Sequence, residues 1–264
     1  MRRALLLLAF LAVPARADDL AISRVRLTHG ILGPTRTDKK IIPGDSLCIG
    51  FTIDGLTADA AGKVRYSTLI EILDAAGKPI FRQSGKAQEV VNTLGGSQVP
   101  AHAQLDIGLS QPPGEFTFKL TVTDLTSNKT QSLSHKGEVQ PKAFGLVRVT
   151  TSADAEGNVP SGLLGPGQSL YVNALVVGFD RDAGTKQPKL ALELRVLDEA
   201  GKPTLAAPHI GAVEKDVAAT ALSVPIQFLV SLNRPGKFTV ELKATDKVSG
   251  KTDTRSFPIT VLQP

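Results

Sequence analysis

Apolar and polar residues alternate along most of this chain. Phe116, Phe118, Leu120 and Val122 fall at every second position, with Thr or Lys between them. The same period of two recurs in residues 47–53, 66–72, 105–109, 170–176, 190–196, 228–232 and 238–244. This period is typical of β-strands with one buried face. No segment after residue 17 carries the apolar stripe of a long helix, so the pattern predicts an all-β fold.

The segments with this alternation occur twice, in the same order. PGDSL at 43–47 returns as PGQSL at 166–170, LDAAGKP at 73–79 as LDEAGKP at 197–203, and PGEFTFKL at 113–120 as PGKFTVEL at 235–242. The offsets are 166 − 43 = 123, 197 − 73 = 124 and 235 − 113 = 122 residues. A repeat of this length is a whole domain. We therefore predict two modules, 18–141 and 142–264, that each fold as a unit.

Turn residues separate the predicted strands. The blocks 74–77 and 198–201 begin with Asp and end with Gly, as a type I hairpin turn closed by a left-handed glycine requires. Modules built from short strands and frequent turns, with the motifs Pro-Gly-x-Phe-Thr-x-x-Leu and Asp-x-x-Gly-Lys-Pro, resemble the tandem immunoglobulin-like and fibronectin-type domains of bacterial secreted proteins. The resemblance implies two antiparallel β-sandwiches and a role in adhesion, scaffolding or ligand presentation, without an active site.

The first residues have the three parts of a secretory signal peptide. Arg2 and Arg3 precede the apolar run 4–13, and Ala15-Arg16-Ala17 provides a small-x-small cleavage site. We expect cleavage near Ala17 and a secreted or periplasmic product. A membrane-spanning helix needs about 20 apolar residues, and no later segment approaches that length, so no transmembrane segment is expected in the mature chain.

The positive charge does not indicate a nucleic-acid partner. The formal net charge is +5, but the predicted signal contributes three arginines and no acid, which leaves 30 − 3 = 27 basic residues against 25 acidic ones. Nucleic-acid binding proteins cluster their basic residues on one face, and the longest basic run here is Lys39-Lys40. Cys48 is the only cysteine, so no internal disulfide stabilises the fold.

Sequence motifs for catalysis and metal binding are weak. Gly44-Asp45-Ser46-Leu47 matches the nucleophile block of GDSL esterases, but none of the four histidines follows an Asp at the spacing that those enzymes use. The four histidines stand singly, so no transition-metal site and no cofactor is predicted. Weak calcium candidates are the carboxylates of Asp154, Glu156, Asp180 and Asp182.

These observations favour a non-catalytic module of the cell envelope or extracellular space. It would bind or space an envelope protein or surface component through its loops, and two linked weak sites gain from effective concentration. The alternative is a ligand- or Ca²⁺-binding protein with its site at the junction, near 139–144. A hydrolase ranks last because its catalytic set is missing. Pro141 restricts the junction, so we expect the modules to lie end to end with a stiff joint.

Overall fold

The computed structural model describes residues 19–161 and 164–263. The predicted signal peptide and its cleavage site at Ala17 lie outside these ranges. The described chain consists of fifteen strands in four antiparallel sheets, without a helix. The all-β, sandwich-type fold predicted from the sequence is confirmed.

The first half of the chain forms two sheets. Its strands are β1 (Ala21–Thr28), β2 (Ser46–Asp54), β3 (Lys63–Asp74), β4 (Pro79–Ser84), β5 (Gln88–Val91), β6 (Val99–Asp106), β7 (Gly114–Asp124) and β8 (Thr130–Val139). One sheet has the order β1-β2-β6 and the other β4-β3-β7-β8, with β5 also pairing with β3. We call this half the first sandwich.

The second half repeats the arrangement. Its strands are β9 (Gly145–Ser152), β10 (Ser169–Val177), β11 (Leu190–Leu197), β12 (His209–Val213), β13 (Ser223–Ser231), β14 (Gly236–Asp246) and β15 (Thr252–Val261). The sheets have the orders β9-β10-β13 and β12-β11-β14-β15. This half, the second sandwich, thus has the same strand order as the first.

Each half buries its own apolar cluster between its two sheets. The inward positions that the alternation predicted are buried: Phe118, Leu120 and Val122 in the first half, and their counterparts Val240 and Leu242 in the second. One cluster draws its buried members from residues 20–139, the other from 144–261. Whether 18–141 and 142–264 fold independently of each other remains a prediction.

The predicted hairpin turns are present. Gly77 and Gly201 have φ angles of 80° and 77°, the left-handed region that glycine adopts without a steric penalty. The Gly77 amide donates to the Asp74 carbonyl at 2.9 Å, and the amides of residues 76 and 78 donate to the Asp74 carboxylate. Asp198 and Gly201 form the same contacts.

A bulged arginine interrupts the first strand of each half. Arg24 and Arg148 have φ angles of 50° and 49°, and the register of each strand with its partner shifts at that residue. A positive φ is costly for a residue with a side chain. The bulge turns the edge of β9 at Arg148, where the first sandwich contacts the second.

Candidate functional site at the junction of the two halves

A long irregular segment of the first half lies against the second half. We call this segment, residues 29–45 between β1 and β2, the arm. Within the first half it makes isolated bridges from Thr35 to Thr28 and from Ile41 to Val139. Beyond these bridges its side chains reach β9 and β15, so the arm is the main connection between the two sandwiches apart from the covalent linker 140–144.

Charged side chains of alternating sign connect the arm to β15. Arg36 contacts Asp45 at 2.8 Å and Asp38 at 3.1 Å, all within the arm. Asp38 also accepts from Arg255 of β15 at 2.5 Å. Arg255 in turn lies 3.3 Å from Asp253, which pairs with Lys40 of the arm at 2.8 Å. We call the six residues the junction network: Lys40, Asp253, Arg255, Asp38, Arg36 and Asp45.

The junction network also satisfies backbone groups on the open edge of β9. The Arg148 amide donates to Asp45 Oδ1 at 3.0 Å, and the Arg148 Nε donates to the Gly44 carbonyl at 3.1 Å. The Leu146 amide donates to Asp253 Oδ2 at 2.9 Å, and its carbonyl accepts from Arg255 Nε. An unpaired strand edge is a site of unwanted pairing, so these contacts also protect β9.

Because the junction network is largely buried, it affects how the two halves are oriented relative to each other. The side chains of Arg36, Asp45 and Arg255 are almost fully buried. Burial alone would raise the pKa of the Asp38 carboxyl, but Arg36 and Arg255 hold that pKa below its ordinary value. Removing Asp45 would take the closest carboxylate from buried Arg36, and a buried charge that loses its partner is strongly destabilising. The network therefore resists separation or rotation of the two halves.

Apolar contacts flank the junction network. Ile42 of the arm packs with Val147 and Val177 of the second sandwich in a small separate cluster. On the other side, the ring of His29 lies 5.1 Å from the ring of Phe257 on β15. His29 is only 3% exposed, and its Nε2 has no hydrogen-bond partner among the described residues. Burial, followed by the charge of Arg36, lowers the pKa of this imidazole to about 4.

The buried His29 predicts an acid-sensitive junction. Its pKa of about 4 in the folded chain lies below the ordinary 6.5, so the folded state binds its proton less readily than the unfolded state. The contribution of neutral His29 to the free energy of unfolding is complete above pH 6.5, the ordinary pKa of the imidazole. It is lost as the pH falls from there through the pKa of about 4 in the folded chain. Between pH 7.5 and 4.5 this group should remove about 2 to 3 kcal/mol of unfolding free energy.

Urea denaturation at several pH values would test this prediction. The chain with His29→Gln should lose less stability on acidification than the unmodified chain, whereas His102→Gln, at an exposed position, should behave like the unmodified chain. Asp38, Asp45, Arg36 and Arg255 also act on this imidazole and are common to all three proteins. Equal pH dependence with and without His29 would contradict the assignment.

The four calcium candidates from the sequence do not converge. Asp154 accepts the amides of residues 158 and 159 within its own turn, which lowers the pKa of its carboxyl. The Asp182 carboxylate accepts from Lys189 at 2.7 Å and from nearby amides, and these contacts lower its pKa too. Asp180 lies 3.7 Å from Lys251, and Glu156 is exposed. In residues 19–161 and 164–263 no three His, Cys, Asp or Glu side chains are grouped as a metal site. Calcium binding stays an untested prediction.

The other motifs of the sequence have structural roles. Ser46 begins β2, and its hydroxyl donates to Asp106 at 2.6 Å, so the esterase-like block is a turn entering a strand. Cys48 is buried beside Thr28, and burial raises the pKa of its thiol. None of these residues joins the junction network.

The sequence contained a signal for the junction network that the motif search did not use. Because β8 and β15 are matched by the repeat, Arg255 occupies the position of Leu133, and Asp253 that of Gln131. Asp45 likewise stands where the second copy has Gln168. An arginine at an inward strand position that its repeat fills with leucine indicates a buried ion pair. These three differences between the copies, at Asp45, Asp253 and Arg255, lie where the two halves meet.

Comparisons with known proteins do not assign a family. No family model and no curated protein matches the sequence. The C-terminal domain of the Streptococcus agalactiae AgI/II polypeptide BspA aligns with 91% of this chain and 100% of its own, at 8% identity and a TM-score of 0.30. The C-terminal domain of the Streptococcus pyogenes antigen I/II-family protein AspA aligns with 92% of this chain and 99% of its own, at 9% identity and 0.29.

An enzyme gives a superposition of the same quality. Red sea bream transglutaminase aligns with 93% of this chain over 31% of its own length, at 10% identity and a TM-score of 0.30. Superpositions at this level support no conclusion about function. The part of the chain that the structure describes contains no helix long and apolar enough to cross a bilayer.

Proposed function

We propose that this chain is a non-catalytic exported unit of the cell envelope or extracellular space that holds two β-sandwiches in a fixed mutual orientation. The observation that carries the proposal is the junction network, in which Asp38 is shared between Arg36 of the first sandwich and Arg255 of the second. A flexible tether needs no such contacts. Buried charge pairs specify one arrangement because any other arrangement leaves charges unpaired.

The loops at the free ends of the two sandwiches would then contact surface components at a set separation. Two weak sites at a fixed spacing bind a matching pair of targets more tightly than either site alone. Export rests on the N-terminal sequence pattern, with its basic start, apolar run and Ala15-Arg16-Ala17. The junction-ligand alternative ranks second, because the carboxylates of Asp45 and Asp253 are engaged by cations and amides, which leaves Asp38 Oδ2 as the carboxylate oxygen without a hydrogen-bond partner among the described residues, beside a cavity of about 650 Å³.

Distances between spin labels on the two halves would test the fixed orientation. Labels on cysteines introduced at exposed Lys86 and Lys215 should give one narrow distance distribution, because the two halves are held in one orientation. The native Cys48 is buried and therefore protected from labelling. Asp38→Ala should broaden the distribution because it removes the carboxylate shared by the two arginines. Asp19→Ala, which removes only an exposed ion pair with Lys129, serves as the matched control and should leave it narrow. A broad distribution in the unmodified chain would refute the proposal.

A further inference from the structure

Each sandwich has an open cleft between its two sheets. In the first half the edge strands β4 and β6 border it, and in the second half β12 and β13 take their places. We call these clefts the first seam and the second seam. Their volumes are about 690 Å³ and 400 Å³. Repeat-related residues line them, including Ile72 and Val196, Ile107 and Leu232, and Phe116 and Phe238.

Both seams expose large apolar side chains. Ile80 and Phe81 at the first seam are 57% and 44% exposed, and Leu205 and Leu229 at the second are 56% and 48% exposed. The edge strands beside them have one side free of ladder partners. Exposed apolar groups next to an open strand edge are typical of association surfaces, and native proteins ordinarily protect such edges.

The charges at the two seams are opposite. The charged residues lining the first seam are Asp106 and Glu115, both acidic. The second seam is lined by Arg234, whose guanidinium lies 4.7 Å from the centroid of the Phe238 ring, and by His209, and none of its described lining residues is acidic. At the position of Glu115 the second half has Lys237, whose ammonium lies 3.5 Å from Glu199. Arg82, on β4, points instead to Glu71 of the neighbouring strand.

We propose that the second seam of one copy of this chain docks onto the first seam of another copy. Apolar side chains meet apolar side chains in this contact, and Arg234 comes to face Asp106 and Glu115. Two first seams would bring carboxylates together, and two second seams would bring cations together, so charge selects the unlike pairing. Such a contact uses two different surfaces, so each added copy leaves one of each seam free. It builds open head-to-tail chains, or rings where the rotation closes.

Sedimentation velocity of the mature chain at increasing concentration would test this self-association. The mean mass should rise with protein concentration and fall when salt is added, because screening weakens the attraction between the seams. Arg234→Glu and Glu115→Arg should each move the association midpoint to a concentration roughly tenfold higher or more. The chain carrying both substitutions should recover part of the association, since the pair of opposite charges at 115 and 234 is restored with reversed sign while Asp106 keeps its charge.

Lys215→Glu is the matched control, because it makes the same charge change as Arg234→Glu at an exposed position outside both seams. It should associate like the unmodified chain. Each variant is first checked for an unchanged unfolding transition, so that loss of association is separated from loss of fold. A monomer at all concentrations, an equal effect of the control, or failure of the double variant to recover would overturn the proposal.

Discussion

Phe118→Ala is expected to lower the free energy of unfolding by about 3 to 5 kcal/mol, since the substitution removes a large aromatic side chain and leaves a cavity. Phe118 is completely buried between the two sheets of the first sandwich and lies at the centre of β7. Its ring is held by sheets on both sides, which cannot close around an alanine without shifting strands. Urea denaturation followed by circular dichroism would measure the loss.

Phe81→Ala is the matched control for this substitution. The same atoms are removed, but Phe81 is 44% exposed on the edge strand β4, so the loss should be under about 1.5 kcal/mol. Equal losses at the two positions would mean that Phe118 does not lie in the core. The strand register inferred from the alternation would then be inverted, because a shift of one residue moves every side chain to the other face.

The sequence alone predicts the strands well for a physical reason. A period of two ties each apolar residue to one face, and the repeat supplies a second, independent copy of each strand for comparison. Turn chemistry adds to this, as at Gly77 and Gly201, where the predicted left-handed glycines are found. The edge strands β4 and β12 are harder to predict from the sequence, because an exposed strand such as Pro79–Ser84 carries no regular alternation of buried positions.

The junction network was not predicted because no short motif encodes it. Asp38 and Arg255 are 255 − 38 = 217 residues apart, and only the folded chain brings them together. In the sequence Asp45 belongs to an esterase-like block, whereas in the structure it closes the turn before β2. This turn places the Asp45 carboxylate where it accepts a hydrogen bond from the amide of the bulged Arg148. The bulge has no signal in the sequence, because a positive φ is usual for glycine and the residue that adopts it here is an arginine.

The conformation of the arm explains why the two copies diverge where they meet. A duplicated module starts with identical surfaces, but one copy contributes its arm to the junction and the other contributes β9 and β15. Asp45 of the first copy accepts the Arg148 amide of the second half, whereas the side chain of Gln168 in the second copy accepts the amide of Gly165 in its own turn.

Asp45→Ala is expected to lower the free energy of unfolding by about 3 to 5 kcal/mol, because it leaves Arg36 buried without its closest carboxylate. Asp45 is 2% exposed, and it accepts from Arg36 at 2.8 Å and from the Arg148 amide at 3.0 Å. The substitution also exposes the edge of β9 at that amide. Denaturation curves at pH 7 would measure the loss, and the spin-label distances should broaden in parallel.

Two further variants separate the loss of the ion pair from general damage to the turn. Gln168→Ala changes the repeat-related residue, which is exposed, and should alter stability by no more than about 0.5 kcal/mol. Asp45→Leu combined with Arg36→Met removes both charges, so it should be less destabilising than Asp45→Ala alone, since no unpaired charge stays buried. If the double variant is as unstable as the sum of its parts, Asp45 acts through the Arg148 amide and not through Arg36, and the charge-pair account of the junction fails.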